Sequence, residues 1–333
     1  MLHAVKFKHC LWPKVWGGRR LQHVLGIPLP DDQRIGEGWG LYDFPPGLIN
    51  GNGQRFSAQV ACGPLGGLTL GDLIGRYGQA VHGPVRLLPD DQFPLVVKFL
   101  DASDTLSVQV HPHKNEAWYI VHADPGAVIY LGFRRGVERK DVEKALADQT
   151  LTELLNTLPV RAGQCFYIPR GTVHALGAGI LAAEVQTPSP VVYRLYDWGR
   201  HENGRPRELH IDEALACIDY SAGGGPVRPA GHMGTPVATV SELLQCPFFS
   251  LRRIQCSEGY RRTVCADGMP VVWIWLKGQA TVAAAGAAEP LCLVPGDVVL
   301  LPAGAREHTF EARTDCTWLE STMPAADAPS SAR

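Results

Sequence analysis

The pattern of apolar and polar positions predicts a chain built mainly from short strands. LVVKFL, which begins at Leu95, is a continuous apolar run with one lysine, as expected of a buried strand, and LSVQV then alternates. EAWYI at Glu116–Ile120 predicts another strand, followed by a turn at Asp124-Pro125-Gly126. The 36 glycines and 26 prolines likewise favour many short strands and turns over long helices.

Two segments depart from this strand pattern. A short helix is predicted near Thr69 to Tyr77 within an otherwise irregular region that extends to about Pro94. In Asp141–Leu158, DVEKALADQTLTELLNTL, apolar residues recur at helical spacing, which predicts a small helical insertion. The strand pattern returns with QCFYI before Pro169.

The last third of the chain is set apart by a Gly/Pro-rich stretch at Ser221–Gly234, which predicts a linker. Beyond it the pattern predicts three strands, at Phe248–Ile254, Val271–Leu276 and Val298–Leu301. The residues after Met323 are small and polar, and we expect a disordered tail there.

An internal repeat links the two parts. It consists of Gly-x5-Pro-x-Gly followed by a histidine: Gly163, Pro169, Gly171 and His174, then Gly296, Pro302, Gly304 and His308. Each copy follows an aromatic strand, WYIV or WIWL. The repeat predicts two small β-barrels related by duplication, and chance recurrence of Gly and Pro is the alternative.

Composition narrows the classes of protein that remain. The length of 333 residues allows two domains, and a net charge of -2 gives no footprint for nucleic acid. No apolar run could span a bilayer, and the segment Met1–Cys10 lacks an apolar signal core. Nine cysteines without CxxC spacing favour reduced thiols and a cytoplasmic location.

Four polar residues at predicted strand ends suggest a metal site. Gln109 and His111 are two apart in a strand and so share a face, and a hairpin after Pro112 can bring Glu116 near them. His174 follows the Pro169 corner. Two imidazoles, one carboxylate and one amide oxygen would suit Zn²⁺ with an open position for water or substrate.

Other interpretations of these residues stay open at this point. Fe(II) also accepts two histidines and a carboxylate, and His113 could replace Gln109 as a ligand. The four side chains could instead be separate polar groups satisfied by the backbone.

Longer strings around these residues resemble one family. They are PLVVKFLDASDTLSVQVHP at 94–112, NEAWYIVHADPG at 115–126 and YIPRGTVHALGAGILAAEVQTPSPVVYRLYDWGR at 167–200. Together they are similar to type I mannose-6-phosphate isomerases of the short bacterial form. The resemblance extends to about Tyr220 and implies a mainly β fold with two duplicated cupin-like barrel modules and a small helical insertion.

The resemblance implies site residues and an activity. His111, Glu116 and His174 would be the zinc ligands, with Gln109 a fourth and one Zn²⁺ per chain. Arg194, in the string YRLYDW, matches the active-site arginine of the family. The implied reaction interconverts mannose 6-phosphate and fructose 6-phosphate by proton transfer through an enediol.

Several roles remain open from the sequence. Arg194 could instead form a salt bridge with Asp197. Lys114 matches a family lysine and could bind phosphate, carry a proton or be a solvated turn residue. Lys98 interrupts a buried strand and either faces a cavity or extends outward to solvent. The proton-transferring base stays unassigned among Lys114, His113 and a metal-bound water.

The sequence also predicts different roles for the two modules. We expect a catalytic module at 1–220, a second module at 235–322 without a metal site, where His308 lacks partner ligands, and a tail at 323–333. The partner is a small sugar phosphate, with neither nucleic acid nor membrane, and the chain is a monomer or homodimer. The alternatives are an Fe(II) cupin oxygenase and a non-catalytic sugar-binding protein.

Overall fold

The computed structural model describes residues 2–49, 53–202, 204–229, 231–284 and 289–326. The fold is mainly β with few helices, as predicted. The α-helices are α1 Arg20–Leu25, α2 Leu70–Tyr77, α3 Gln79–His82, α4 Arg139–Ala147 and α5 Ile211–Cys217, with 3-10 turns at Pro89–Asp91 and Leu151–Leu154. Within the described ranges, no helix is both long enough and apolar enough to cross a membrane.

The strands before residue 207 belong mostly to the half that contains the predicted ligands. They are β1 Val5–Lys6, β2 Cys10–Gly18, β3 Ile35–Leu41, β4 Asp43–Phe44, β5 Phe56–Ser57, β6 Val96–Ala102, β7 Val108–Val110, β8 Glu116–Ala123, β9 Val128–Phe133, β10 Leu155–Pro159, β11 Cys165–Ile168, β12 His174–Leu176, β13 Ile180–Gln186, β14 Tyr193–Tyr196, β15 His201–Glu202 and β16 Arg205–Pro206.

The remaining strands begin after the Gly/Pro-rich stretch. They are β17 Gly231–Thr235, β18 Ala238–Gln245, β19 Ser250–Cys256, β20 Arg261–Val264, β21 Val271–Lys277, β22 Ala280–Ala284, β23 Leu291–Leu293, β24 Val298–Leu301, β25 His308–Ala312 and β26 Cys316–Thr322.

Four antiparallel sheets contain most of these strands. Sheet A has the order β11-β8-β13-β6-β3-β2 and sheet B the order β10-β9-β12-β7-β14. Sheet C has the order β1-β24-β21-β26-β19-β18-β17 and sheet D the order β20-β25-β22-β23. We refer to sheets A and B as the first half and to sheets C and D as the second half. The N-terminal strand β1 crosses this division, because it pairs with β24 of sheet C.

Alternation along the strands explains how the sheets pack. In β6, Val97 and Phe99 belong to the large core that sheets A and C share, whereas Leu100 belongs to the core between sheets A and B. In β21, Ile274 packs into the shared core, and Trp275 packs between sheets C and D. Strands buried on both faces read as continuous apolar runs, which is why LVVKFL and VVWIWL lack alternation.

The predicted elements are mostly found, but the predicted helical insertion needs a correction. α2 matches the short helix at Thr69–Tyr77, and Thr69 caps it by accepting from the Asp72 N–H at 3.1 Å. The helical insertion is wrong at its end, because α4 stops at Ala147 and Leu155–Pro159 forms strand β10. That segment lies at the edge of sheet B, where pairing with β9 satisfies its backbone and overrides the helical spacing of its leucines.

The Gly/Pro-rich segment and the tail also differ from expectation. The linker is shorter than predicted, since Gly231–Thr235 pairs with β18 as strand β17. Met323 is buried and Ala325 forms a bridge with Val85, so the tail is ordered at its start. Residues 327–333 lie outside the described part of the chain.

Candidate metal centre and adjoining cavity

Three of the predicted ligands lie together in the first half. The ligand atoms of His111, Glu116 and His174 all lie within 4.8 Å of one another. His174 Nε2 is 3.1 Å from Glu116 Oε1, and His111 Nε2 is 3.9 Å from Glu116 Oε2. All three side chains are almost fully buried. Among the described residues, these three are the His, Cys, Asp or Glu side chains that lie close enough together to hold a metal ion.

Strand register brings these residues together. His174 begins β12 and lies directly opposite Gln109 in β7 of sheet B. Glu116 begins β8 in sheet A. The expected hairpin between His111 and Glu116 is therefore wrong: the turn after Pro112 leads from sheet B to sheet A, because β7 pairs with β12 and β14 while β8 pairs with β11 and β13. The site lies where the two sheets meet.

Backbone carbonyls fix the orientation of both imidazoles. The Nδ1 of His111 is 3.1 Å from the Val191 carbonyl, and the Nδ1 of His174 is 2.8 Å from the Thr172 carbonyl. An Nδ1–H donated to each carbonyl leaves each Nε2 with a free lone pair, and both Nε2 atoms point at Glu116. Metal-binding histidines are held in this way, with the second ring nitrogen bonded to a carbonyl or carboxylate.

The charges at the cluster agree with a cation site. Burial and the nearby Lys114 lower the pKa of His111 well below its usual value, so its imidazole is neutral. Burial would raise the pKa of Glu116, but Lys114 and the two histidines hold it well below its usual range. A metal requires a neutral imidazole and an ionised carboxylate. His111 Nε2 has no hydrogen-bond partner among the described residues, so the donor set fits a metal ion.

Gln109 and His113 were the two candidates for a fourth ligand. The amide Nε2 of Gln109 is 3.3 Å from His174 Nε2, and rotation of the amide by 180° puts its oxygen in the same place. His113 is exposed in the turn before β8 and lies outside the cluster. The geometry therefore favours Gln109.

Two buried lysines connect the cluster to sheet A. Lys114 Nζ is 2.7 Å from Glu116 Oε2 and donates to Gln186 Oε1 at 3.2 Å. Lys98 Nζ donates to the same Gln186 oxygen at 3.0 Å and is 3.3 Å from Glu184 Oε1. Lys114 is therefore a buried residue and not a solvated one, and Lys98 faces inward.

A cavity of about 120 Å³ adjoins the cluster on the side of these lysines. Its polar and charged lining consists of Lys14, Glu37, Lys98, Ser107, Gln109, Lys114, Glu184, Arg194 and Arg207. Five of these side chains are basic and two are acidic, so the cavity carries a net positive charge suited to an anion.

Arg194 lies opposite Gln109 in β14 and lines this cavity. Its guanidinium donates to the Glu208 carbonyl at 2.9 Å. The Asp197 carboxylate pairs instead with Arg200 and with Arg207, the latter at 3.3 Å. Among the described residues, Arg194 and Asp197 therefore do not form the alternative salt bridge.

Several residues of the cavity wall were not predicted from the sequence. Glu37 is paired with Lys14 at 3.0 Å and accepts from the Trp39 indole at 2.6 Å. Glu184 and Gln186 alternate in β13, a strand whose residues are all buried. Polar residues two apart in an otherwise apolar strand were the available signal, because such residues need buried partners.

His308, the counterpart of His174 in the repeat, has a different environment. Its Nε2 accepts a hydrogen bond from the Ala4 N–H at 3.2 Å, and its ring packs edge-on against His3. The hydrogen bond from the Ala4 N–H therefore uses the ring nitrogen with which His308 would have to bind a metal.

Known proteins of similar sequence are mannose-6-phosphate isomerases. Residues 5–130 match the model of the phosphomannose isomerase type I catalytic domain. The mannose-6-phosphate isomerase of Streptococcus mutans is 31% identical over 312 residues, covering 90% of this chain and 92% of the relative. ManA of Bacillus subtilis, a mannose-6-phosphate isomerase, is 31% identical over 93% of this chain and 96% of its own length.

Solved structures agree as well. The crystal structure of the mannose 6-phosphate isomerase from Bacillus subtilis superposes with a TM-score of 0.83 at 26% identity, covering 96% of this chain and 99% of that one. The Salmonella typhimurium enzyme, at 15% identity and a TM-score of 0.67, covers 97% of this chain and 100% of its own, and shares the fold. Since the similarity to curated relatives extends over nine tenths of the sequence, the chain belongs to the type I mannose-6-phosphate isomerase family.

Proposed function

We propose that the chain interconverts mannose 6-phosphate and fructose 6-phosphate, with the reacting sugar in the basic cavity beside His111, Glu116 and His174. Family membership supports the aldose–ketose isomerase activity. The observation that carries the proposal is the convergence of two oriented imidazoles and one ionised carboxylate next to a cavity rich in lysine and arginine.

The proposed cofactor is one Zn²⁺ per chain, held by His111, Glu116 and His174, with Gln109 as a fourth ligand. This set of nitrogen and oxygen donors is one that catalytic zinc accepts while one position stays open. When bound, the ion supplies electrophilic polarisation of the sugar oxygens that carry developing negative charge.

The basic side chains of the cavity would bind the substrate. A sugar phosphate carries up to two negative charges, and Lys98, Lys114 and Arg194 present cationic groups to the same space. Lys98 and Lys114 are held in place by the shared acceptor Gln186, so little side-chain entropy is lost when they meet an anion.

Arg194 is the proposed catalytic arginine. Proton transfer between C2 and C1 passes through an enediol, whose oxygens gain negative charge. A guanidinium stays charged and presents donors in a rigid fork, so Arg194 would stabilise that charge. Its anchoring to the Glu208 carbonyl fixes one side of the fork and leaves other donors for substrate.

The proposed organisation assigns catalysis to residues 1–220 and a metal-free supporting role to residues 235–322. Sheets A and C share a strand order around β8 and β21, as do sheets B and D around β9 and β22. We propose that this correspondence reflects two duplicated cupin-like barrels, with β1 of the N-terminal segment added to sheet C. The proposed location is the cytoplasm.

The Fe(II) oxygenase and the non-catalytic sugar-binding protein are not favoured, because the matching relatives are named isomerases. The function can be tested by coupling fructose 6-phosphate formation to a reporter enzyme, with mannose 6-phosphate as substrate. We expect turnover that is lost on chelation and restored by Zn²⁺, without oxygen consumption when Fe(II) is supplied. Full turnover in a preparation shown to contain no metal would contradict the proposed cofactor.

A further inference from the structure

Two cysteines of the second half lie directly opposite each other in sheet C. Cys256 is the last residue of β19, Cys316 is the first residue of β26, and the two are Cα partners in the antiparallel register. Both are buried, with 7% and 2% of their surface exposed, and both are free thiols. They lie outside the lining of the catalytic cavity, so the proposed isomerase chemistry does not use them.

The register satisfies the distance requirement of a disulfide. Directly opposed residues of an antiparallel pair have Cα atoms about 4.5–5.5 Å apart. Disulfides need a Cα separation of about 4.4–6.8 Å, so the bond can form without a large backbone movement. The two thiols are already close enough to share a hydrogen bond.

A surface cavity gives small molecules access to this pair. It has a volume of about 300 Å³, and both cysteines contribute to its wall together with Lys277 and Asp315. The Cys316 thiol also contacts the carbonyls of Thr314 at 3.1 Å and Gln279 at 3.3 Å, which holds its sulfur at this end of the strand.

We propose that Cys256 and Cys316 form a redox-active dithiol, which a low-molecular-weight disulfide of the glutathione type converts into a cross-strand disulfide. Lys277 and Asp315, on the cavity wall, suit an oxidant that carries both carboxylate and ammonium groups. The hydrogen bond from Cys256 lowers the pKa of Cys316, which makes Cys316 the attacking thiolate.

The exchange balances in two steps. The Cys316 thiolate attacks one sulfur of the small disulfide, forms a mixed disulfide and displaces one small thiolate. Cys256 then loses its proton, attacks the Cys316 sulfur and displaces the second small thiolate. Two electrons pass from the protein dithiol to the oxidant, and the two protons end on the two small thiols.

The new bond would act on stability and not on the isomerase reaction. It would tie the end of β19 to the start of β26 and so enclose the segment that contains β20–β25, which restricts the unfolded chain. We therefore expect a melting temperature several degrees higher after oxidation. The catalytic cavity lies in the first half, so kcat/KM with mannose 6-phosphate should change by less than about twofold.

The test uses the full-length, metal-loaded protein incubated with oxidised glutathione, alkylated and mapped by mass spectrometry without reduction. We expect one linked pair of peptides, containing Cys256 and Cys316, and a rise in melting temperature that a reductant reverses. Cys316→Ala should abolish both effects. Cys265→Ser, which alters an exposed cysteine of the same half, should preserve both.

Other outcomes would overturn the proposal. One is glutathione attached only at exposed Cys62, Cys265 and Cys292, with Cys256 and Cys316 unmodified until denaturant is added. Another is a linked peptide that forms only in denaturant. Because the mapping is done on the unsubstituted protein, a variant that fails to fold does not affect the decision. The linked peptide is measured without the isomerase assay, so failure of the proposed function would be seen separately.

Discussion

The two halves of the molecule have corresponding strand orders but differ at the candidate ligand positions. Glu116 begins β8 opposite Ile168, and Val271 begins β21 opposite Leu301. His174 faces Gln109 across sheet B, whereas His308 faces Val264 across sheet D. Of these three candidate ligand positions, only that of His174 has the same residue type in the second half.

A triad of tryptophan, glutamate and a basic residue is common to both halves. In the first half, the Trp118 indole donates to Glu184 at 2.9 Å, and Lys98 is the cation paired with that carboxylate. In the second half, the Trp273 indole donates to Glu320 at 3.0 Å, and Arg252 takes the place of the lysine. In each half the glutamate lies directly opposite the tryptophan on one neighbouring strand and the basic residue on the other.

Because the triad occurs in both halves, it belongs to the shared fold, whereas the candidate ligands belong to the proposed function of the first half. The second half has the same arrangement of tryptophan, glutamate and basic residue but lacks the candidate ligands. The arrangement by itself is therefore no sign of catalysis. In the first half, candidate ligands and basic residues lie beside the triad, whereas the second half has Val264 and Val271 at the positions that correspond to Gln109 and Glu116. Three experiments test whether the two halves differ in this way.

The largest effect is expected from the paired histidines. His174→Ala removes one of the two candidate imidazole ligands, and we expect loss of bound metal and a fall in turnover of more than about a hundredfold. His308→Ala removes the acceptor for the Ala4 N–H and the buried ring that contacts His3, so we expect a lower melting temperature with kcat and KM nearly unchanged. Metal content, kinetics and melting temperature should be measured for both variants. Equal catalytic losses would show that the second half takes part in the reaction.

The next effect concerns Arg194. If its charge meets the developing enediolate, Arg194→Ala should lower kcat and kcat/KM together by about a hundredfold, with KM little changed. Arg194→Lys should rescue poorly, because an ammonium lacks the planar fork of a guanidinium.

The same measurements separate the other roles of Arg194. A phosphate anchor would raise KM while kcat holds. A structural role would lower the melting temperature and leave the folded enzyme fully active. A near-normal kcat in folded, metal-loaded Arg194→Ala would rule out the catalytic role.

The smallest effect tests the two triads against each other. Glu184→Gln keeps an acceptor for the indole but leaves the buried Lys98 without its counter-charge, so we expect kcat/KM to fall about tenfold, or roughly 1.4 kcal/mol. Glu320→Gln should keep normal kinetics and lower the melting temperature by about 1–3 °C, because Arg252 is partly exposed and can be solvated. An equal kinetic loss in Glu320→Gln would contradict the assignment of the triad to the shared fold.

The location of the candidate ligands was largely determined by the sequence. Gln109 and His111 share a face because strand side chains alternate with a period of two, and Glu116 follows within a few residues. His174 follows a proline-glycine corner that ends one strand and begins the next. These are local rules, and they hold whichever sheet each strand joins.

Tertiary structure alone decided the surroundings of those ligands. Lys98 faces inward, but LVVKFL is buried on both sides and gives no alternation from which that direction could be predicted. Glu37, Glu184 and Arg207 join the cavity through pairings between distant segments. The segment Leu155–Pro159 became a strand because the edge of sheet B offered hydrogen bonds that outweigh its helical spacing. Such long-range pairings depend on strand register. The sequence specifies that register only where one face of a strand is polar and the other apolar.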